Sequence, residues 1–174
     1  MYNKPIIVFE GIEGSGKTFH INNISKYLKK KRIPFLKIRE PGGNVNSEKI
    51  RNLILNKKAK FEPLTDLFLY LAARNENINK IIKKNYKKKI VLIDRFVDST
   101  IAYQHYGMGL DIKLINNINK IILKNIKINF TFLHCVNKKN MKNRIAKRKN
   151  LNRYDSFKSN FYNKVQSGFI KISK

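Results

Sequence analysis

The apolar positions of this chain alternate between short unbroken runs and helical spacing. Ile6, Ile7, Val8 and Phe9 form a run that stops at Gly11, as a strand buried on both faces of a parallel sheet would. From Lys17 to Lys31 the apolar residues Ile21, Ile24 and Leu28 fall at helical spacing among Lys and Asn, so the first unit reads strand, glycine loop, helix. Phe35 to Ile38 predicts a second strand, broken by Pro41-Gly42-Gly43, and Ile50, Leu53 and Ile54 mark a short helix. Pro63 suits the first turn of a longer helix carried by Leu64, Leu67, Phe68 and Leu71, which Ile78, Ile81 and Ile82 can prolong. Ile90 to Ile93 predicts a third strand and Phe130 to Val136 a fourth. Between them Asp111 can cap a helix through Leu114, Ile115, Ile118, Ile121 and Ile122. Asn137 can cap another, whose basic end leads into Asn150 to Asp155, and a last helix runs through Phe161, Val165 and Phe169.

Strands alternating with helices imply an α/β fold: a parallel sheet covered by helices on both faces, with ligands at the carboxyl ends of the strands. A length of 174 residues, without an internal repeat or linker, predicts one domain over 1–174.

The net charge of +27 first suggests a nucleic-acid or acidic-membrane partner. Lys, Asn and Ile are enriched together throughout, however, as a genome biased toward A and T would make them. The clusters Lys29 to Arg32, Lys57 to Lys60 and Lys83 to Lys89 are scattered over helix ends and faces instead of forming one stripe. Nucleic acid is therefore not the expected partner. The single cysteine, Cys135, excludes an intramolecular disulfide, and Met1 to Ile7 lack a signal-peptide pattern. No apolar run is of membrane-spanning length. The expectation is a cytoplasmic protein with no membrane partner. Where Lys is the default cation, the eight arginines become informative, because Arg survives where a planar, always-charged fork must grip phosphate or a base edge.

Gly11-Ile12-Glu13-Gly14-Ser15-Gly16-Lys17-Thr18 satisfies GxxxxGK[ST] at every position and lies between a predicted strand and a predicted helix. The glycines let successive backbone N–H groups point inward and the helix N-terminus adds partial positive charge. Lys17 bridges the terminal phosphates of a nucleoside triphosphate, and Thr18 offers its hydroxyl to Mg²⁺. The third strand ends in Asp94-Arg95, so Asp94 can hold Mg²⁺ or cap the following turn. Glu10, on the neighbouring strand tip, is a further candidate for the metal shell.

Four segments in this order resemble the thymidylate kinases of bacteria: Phe9 to Thr18, Arg39-Glu40-Pro41-Gly42-Gly43, Leu71-Ala72-Ala73-Arg74, and Asp94-Arg95-Phe96 with Ser99 and Ala102-Tyr103-Gln104. The resemblance implies a P-loop NTPase-like fold and transfer of the γ-phosphoryl group of ATP to dTMP, giving dTDP for dTTP synthesis, with Mg²⁺ as cofactor and a homodimeric assembly. It implies that Tyr70 stacks on thymine, that Arg74, Thr100 and Gln104 meet the base edge, and that Tyr103 lies beneath the sugar, excluding a 2′-hydroxyl. Without the resemblance Tyr70 reads as core. Glu13 resembles the carboxylate near the 3′-hydroxyl and Arg95 the guanidinium on the acceptor phosphate, while Ser99, Arg39 and Arg51 belong to segments lining that pocket. Some members carry a catalytic arginine inside the phosphate loop and others in a mobile lid. Here the loop position is Gly14, so the resemblance assigns the charge to a lid near 140–156, with Arg148 and Arg153 as candidates. Phe19-His20, Asn44, Cys135 and Asn152 depart from the family pattern. The match stops at Lys174, before a final strand and helix that complete the sheet and meet adenine in similar proteins, and a bare sheet edge is expected unless the last helix covers it. Two alternatives stand beside this reading: a kinase for another nucleoside monophosphate or a deoxynucleoside, or a basic nucleic-acid-binding protein with a degenerate P-loop.

Overall fold

The computed structural model describes residues 4–148 and 151–174, so Lys149 and Asn150 of the expected lid lie outside the described residues. Four strands, β1 (Ile6–Glu10), β2 (Phe35–Arg39), β3 (Ile90–Asp94) and β4 (Phe130–Leu133), form one sheet in the order β2-β3-β1-β4. All pairings are parallel. Successive side chains on a strand face opposite ways, which explains why the central strands need unbroken apolar runs. Ile6, Val8, Val91, Ile93 and Ile38 turn to one face and pack with Ile78, Ile82 and Ile126. Phe9 and Leu92 turn to the other and pack against Ile21 and Leu28 of α1 (Lys17–Lys30).

Side-chain caps start three of the helices. Asn44 accepts from the N–H groups of Asn46 and Ser47 to open α2 (Val45–Leu55), Asp111 from Lys113 to open α6 (Ile112–Leu123), and Asn137 from Asn140 to open α7 (Lys138–Ala146). The rod that begins with α3 (Pro63–Asn77) runs on through a π-helical turn, Ile78–Ile82, and α4 (Lys83–Asn85), so the three isoleucines do prolong it. The α/β architecture with helices on both faces is as anticipated.

Two features differ from the sequence-based expectations, and the sheet edge is bare, as expected for a last helix that does not cover it. The stretch after β3 has no apolar period of its own, yet it forms α5 (Val97–Thr100) and a further π-helical turn, Ile101–Gly107. β4 stops at Leu133 instead of Val136, with one more rung from the His134 N–H to the Glu10 carbonyl at 2.8 Å. The last helix, α8 (Ser159–Ile172), does not cover the edge of β4, where Phe130 and Phe132 remain 57% and 50% exposed. Its apolar face instead packs Val165 and Phe169 onto Ala102 and Tyr103. Two glycines permit that close approach: a Cβ on Gly107 would meet the Phe161 ring at 2.7 Å, and one on Gly168 would meet the Tyr106 ring at 2.5 Å. Among the described residues, no helix is long and apolar enough to cross a membrane.

Gly168→Ala should destabilise the protein by about 1–3 kcal/mol through overpacking, read as a lower urea midpoint at unchanged slope. An unchanged midpoint would mean that α8 is held less tightly than this contact implies.

Candidate active site

The parallel register sets Phe9 opposite Asp94, so the loop after β1 and the Asp94-Arg95 pair leave the sheet side by side. Gly16 takes a left-handed conformation and no side chain caps the start of α1, in contrast to α2, α6 and α7. The Phe19 N–H already donates to the Gly16 carbonyl at 3.1 Å, so the helix start offers an anion the N–H groups of Lys17 and Thr18 and the positive end of its dipole. Lys17 Nζ is buried and donates to the carbonyls of Gly11 and Ile12 at 2.9 and 3.0 Å and to Ser15 Oγ at 3.4 Å. Burial, reinforced by the Arg95 charge, lowers its ammonium to about 7.

Thr18 Oγ1 stands 3.5 Å from Asp94 Oδ2. A hydroxyl and a carboxylate side by side suit a hard, oxygen-seeking ion such as Mg²⁺, which takes few protein ligands and completes its shell with phosphates and water. Among the described residues, no group of three or more His, Cys, Asp and Glu gathers to form a metal cage. Glu10 does not join this pair as expected. Its Oε1 accepts from the N–H groups of Phe96 and Ser99 at 2.8 and 3.2 Å, and its Oε2 from the Ser99 hydroxyl at 2.5 Å. The carboxylate thus holds the start of α5, and burial with Asp98 close by raises it to about 7.

Next to this pair Arg95, with a positive φ of 67°, donates to the Gly11 carbonyl at 2.8 Å and to Glu13 at 2.9 Å. Glu13 also accepts from the Tyr103 hydroxyl at 2.5 Å, and the Arg95 guanidinium lies 5.1 Å from the centre of the Tyr103 ring. Burial alone would raise Glu13, yet Arg95 and Lys17 hold it below the usual carboxylate range. Burial, and then the Glu13 carboxylate, push the Tyr103 phenol well up against the opposing Arg95 charge, keeping it a donor.

Beyond this cluster a hollow is lined by Tyr70, Arg74, Ser99, Thr100, Tyr103 and Gln104, with Arg39 and Arg51 also contributing. Thr100 Oγ1 and Gln104 Nε2 are buried without a partner, as groups waiting for a ligand's polar edge would be. Arg39 is paired with Glu48 at 3.1 Å and is 57% exposed, whereas Arg51 donates to the Pro41 carbonyl at 2.6 Å. Arg74 is more structural than expected. Its buried fork donates to Glu40, Asn119 and the Phe96 carbonyl at 2.8, 2.8 and 2.7 Å, leaving two of its five N–H groups for a ligand. Tyr154 also lines this hollow, edge-on to Tyr70 and Tyr103, and the sequence reading passed over it.

A second hollow, formed by Gly14 to His20 with Arg144 and Arg148, meets the first at Lys17, Thr18 and Arg148, which line both. Arg144 donates to the Gly14 carbonyl at 2.7 Å. A Cβ on Gly14 would stand 3.3 Å from the Met141 carbonyl and 3.4 Å from Arg144 Cβ, so α7 occupies the space that a loop side chain would need. The missing basic residue in the loop and the arginine on α7 are one arrangement. The sequence reading confined Arg144 to the lid at large, although its spacing of four residues from Arg148 was the available signal. Of the two lid candidates, Arg148 reaches the junction. Arg153 does not: it is buried against Asp66, 5.0 and 5.5 Å from the ring centres of Tyr154 and Phe61, and lines neither hollow.

The family model described as thymidylate kinase matches residues 9–174. The chain belongs to the thymidylate kinase family. It is 39% identical over 170 residues to the thymidylate kinase of Sulfurihydrogenibium sp. (strain YO3AOP1), covering 97% of this chain and 82% of that one. The thymidylate kinase of Wolbachia sp. subsp. Brugia malayi (strain TRS) is 37% identical, with 96% and 80% covered. The crystal structure of thymidylate kinase from Ehrlichia chaffeensis superposes with a TM-score of 0.78 at 35% identity, covering 99% of this chain and 83% of that one. A thymidylate kinase has two anionic ligands to hold, and the two hollows share their most basic corner.

The buried Glu10 gives this thymidylate kinase a pH signature. Its folded value lies above the ordinary one near 4.5, so its favourable contribution is complete below pH 4.5 and is lost as the pH rises through about 7. Glu10→Gln can keep the geometry, with its carbonyl accepting from both N–H groups and its amide donating to Ser99. We expect equal stability of the two proteins near pH 4.5 and a gain of up to about 3 kcal/mol for the variant at pH 8, by thermal or urea unfolding. A pH-independent difference would contradict the assignment.

Proposed function

We propose that this thymidylate kinase transfers the γ-phosphoryl group of ATP to dTMP, yielding dTDP and ADP for dTTP synthesis, with the two hollows as donor and acceptor sites. Their junction at Lys17, Thr18 and Arg148 carries the reading, since an ATP phosphate chain in one hollow would end against the single phosphate of dTMP in the other, beside converging positive charge. Transfer of this kind asks for in-line placement and charge compensation, and no nucleophilic side chain.

In this reading the inward N–H groups of Gly11 to Thr18 hold the ATP phosphates, and Lys17 exchanges its loop carbonyls for phosphate oxygens. Thr18 and Asp94 would hold Mg²⁺, which neutralises phosphate charge when bound. Arg95 grips the acceptor phosphate, with Ser99 beside it, and Glu13 faces the sugar. Tyr103, locked by Glu13 and Arg95, forms the floor under a deoxyribose. Tyr70 stacks on thymine, and the unpartnered Thr100 and Gln104 groups, with the two free N–H groups of Arg74, meet the base edge. Arg39 and Arg51 flank the acceptor side. The stretch from α7 to the Arg153–Ser156 turn acts as the lid of a single domain, closing to exclude water. Arg148 supplies the charge that offsets the transferred group, with Arg144 beside it in place of a basic loop residue.

The reading extends to assembly and setting. Leu64 and Phe68 stand one turn apart on α3, 42% and 50% exposed, and a second copy packed there makes a homodimer. A cytoplasmic setting suits the lone thiol of Cys135.

Coupled ADP-release assays with ATP, Mg²⁺ and one monophosphate at a time should give turnover with dTMP far above that with UMP, CMP, AMP or GMP; equal rates would refute the acceptor assignment. Lys17→Ala should abolish turnover. Arg148→Ala should lower kcat on the order of a thousandfold. Arg153→Ala should act on stability instead, costing about 3–5 kcal/mol by leaving the buried Asp66 without its counter-charge. The reverse pattern would exchange the two roles. Phe68→Glu should convert a dimer to a monomer in light scattering.

A further inference from the structure

Arg148 lies at the end of α7, exposed enough to sample many orientations, yet it is held in one. Its Nη1 donates to Asp155 Oδ1 at 2.7 Å, with side chains 36% and 0% exposed. The other oxygen of Asp155 accepts from the Asn152 N–H at 2.9 Å and the Asn152 side-chain amide at 2.7 Å. These bonds form a reciprocal cap on the short 3-10 helix Arg153–Ser156, and they fix the carboxylate of Asp155 from below.

The turn that carries Asp155 is itself anchored. Arg153 and Tyr154, the two residues before it, both bond the buried Asp66 of α3, and the Tyr162 hydroxyl donates to the Tyr154 carbonyl. Asp155 is therefore a fully buried charge on a rigid mount, and the mobile partner it meets is Arg148. From these contacts we infer that Asp155 is a positioning residue for phosphoryl transfer, orienting Arg148 toward the junction of the two hollows. One N–H is given to the post and the rest of the planar fork is left for phosphate. Asn152 fits this role because its amide donates to Asp155 without competing for the guanidinium. The same mount explains the placement of Arg153: it sustains the turn that aims Arg148. The inference rests on the reading of Arg148 given above.

A double-mutant cycle tests it. Asp155→Ala should lower kcat on the order of 10- to 100-fold, as lost supports of site residues do, with KM for dTMP changed less than about twofold. Asp155→Asn, which retains one acceptor oxygen without the charge, should fall between it and the unmodified enzyme. Combined with Arg148→Ala, Asp155→Ala should cost nothing further, because the group it orients is gone. Circular dichroism and melting curves at the assay temperature identify any unfolded variant, in which case Asp155→Asn carries the cycle. Losses in kcat that multiply, or an Asp155→Ala enzyme with undiminished kcat, would overturn the positioning role alone. If Arg148→Ala itself keeps full kcat, the arginine's catalytic role falls, and the role of Asp155 with it.

Discussion

The parallel pairing of β1 with β3, with Phe9 opposite Asp94, is the constraint on which the site depends. It places the phosphate loop and the Asp94-Arg95 turn at neighbouring strand ends, where buried apolar runs leave both backbones no freedom to slip. From that register follow the Thr18–Asp94 pair and, beside it, the Arg95–Glu13–Tyr103 cluster. Glu10 ties the same strand end to α5, so that this helix starts from the sheet itself. A change that loosened the β1–β3 ladder would disturb both hollows together.

Charge is handled by pairing instead of by surplus. Although the chain carries +27 formal charges, six of its eight arginines, Arg39, Arg51, Arg74, Arg95, Arg144 and Arg148, line the two hollows. Among the described residues, Lys17 is the lysine that joins them. The guanidinium can serve a neighbouring carboxylate or carbonyl and a ligand at once, as Arg95 does with Glu13 and Gly11. An ammonium at such a site would lose its orientation with each partner it took. The general lysine excess is a property of the surface and says little about ligands.

The lid and the loop are complementary. With Gly14 in the loop, α7 approaches until the Gly14 carbonyl receives Arg144, and a bulkier loop residue would push α7 away. The arginines proposed to supply catalytic charge thus belong to a segment that leads into a turn anchored elsewhere, on the buried Asp66 of α3. Helix α3 and the Arg153–Ser156 turn share that anchor: Asp66 precedes Tyr70 by one turn, and Tyr154, bonded to Asp66, lies against the Tyr70 ring.

By itself the amino-acid sequence determined the α/β alternation, the phosphate loop, the capped helix starts and the identity of most of the residues that line the first hollow. Each of those rests on local spacing or on a side chain's own chemistry, and Lys17, Thr18, Asp94 and Arg95 needed only to be adjacent at strand ends. Tertiary structure decided what depends on distant neighbours. The helix through Tyr103 and Gln104 has no apolar period because its residues face a polar hollow on one side and α8 on the other. Glu10 looked like a metal ligand from its place beside Gly11, yet the N–H groups of Phe96 and Ser99, far away in the chain, claim it. Arg148 and Arg153 are equivalent as sequence, five residues apart in one basic stretch; a buried carboxylate on α3 takes one, and a buried carboxylate in the turn aims the other. Such a choice is made by which partner is close in space, and no linear pattern records it.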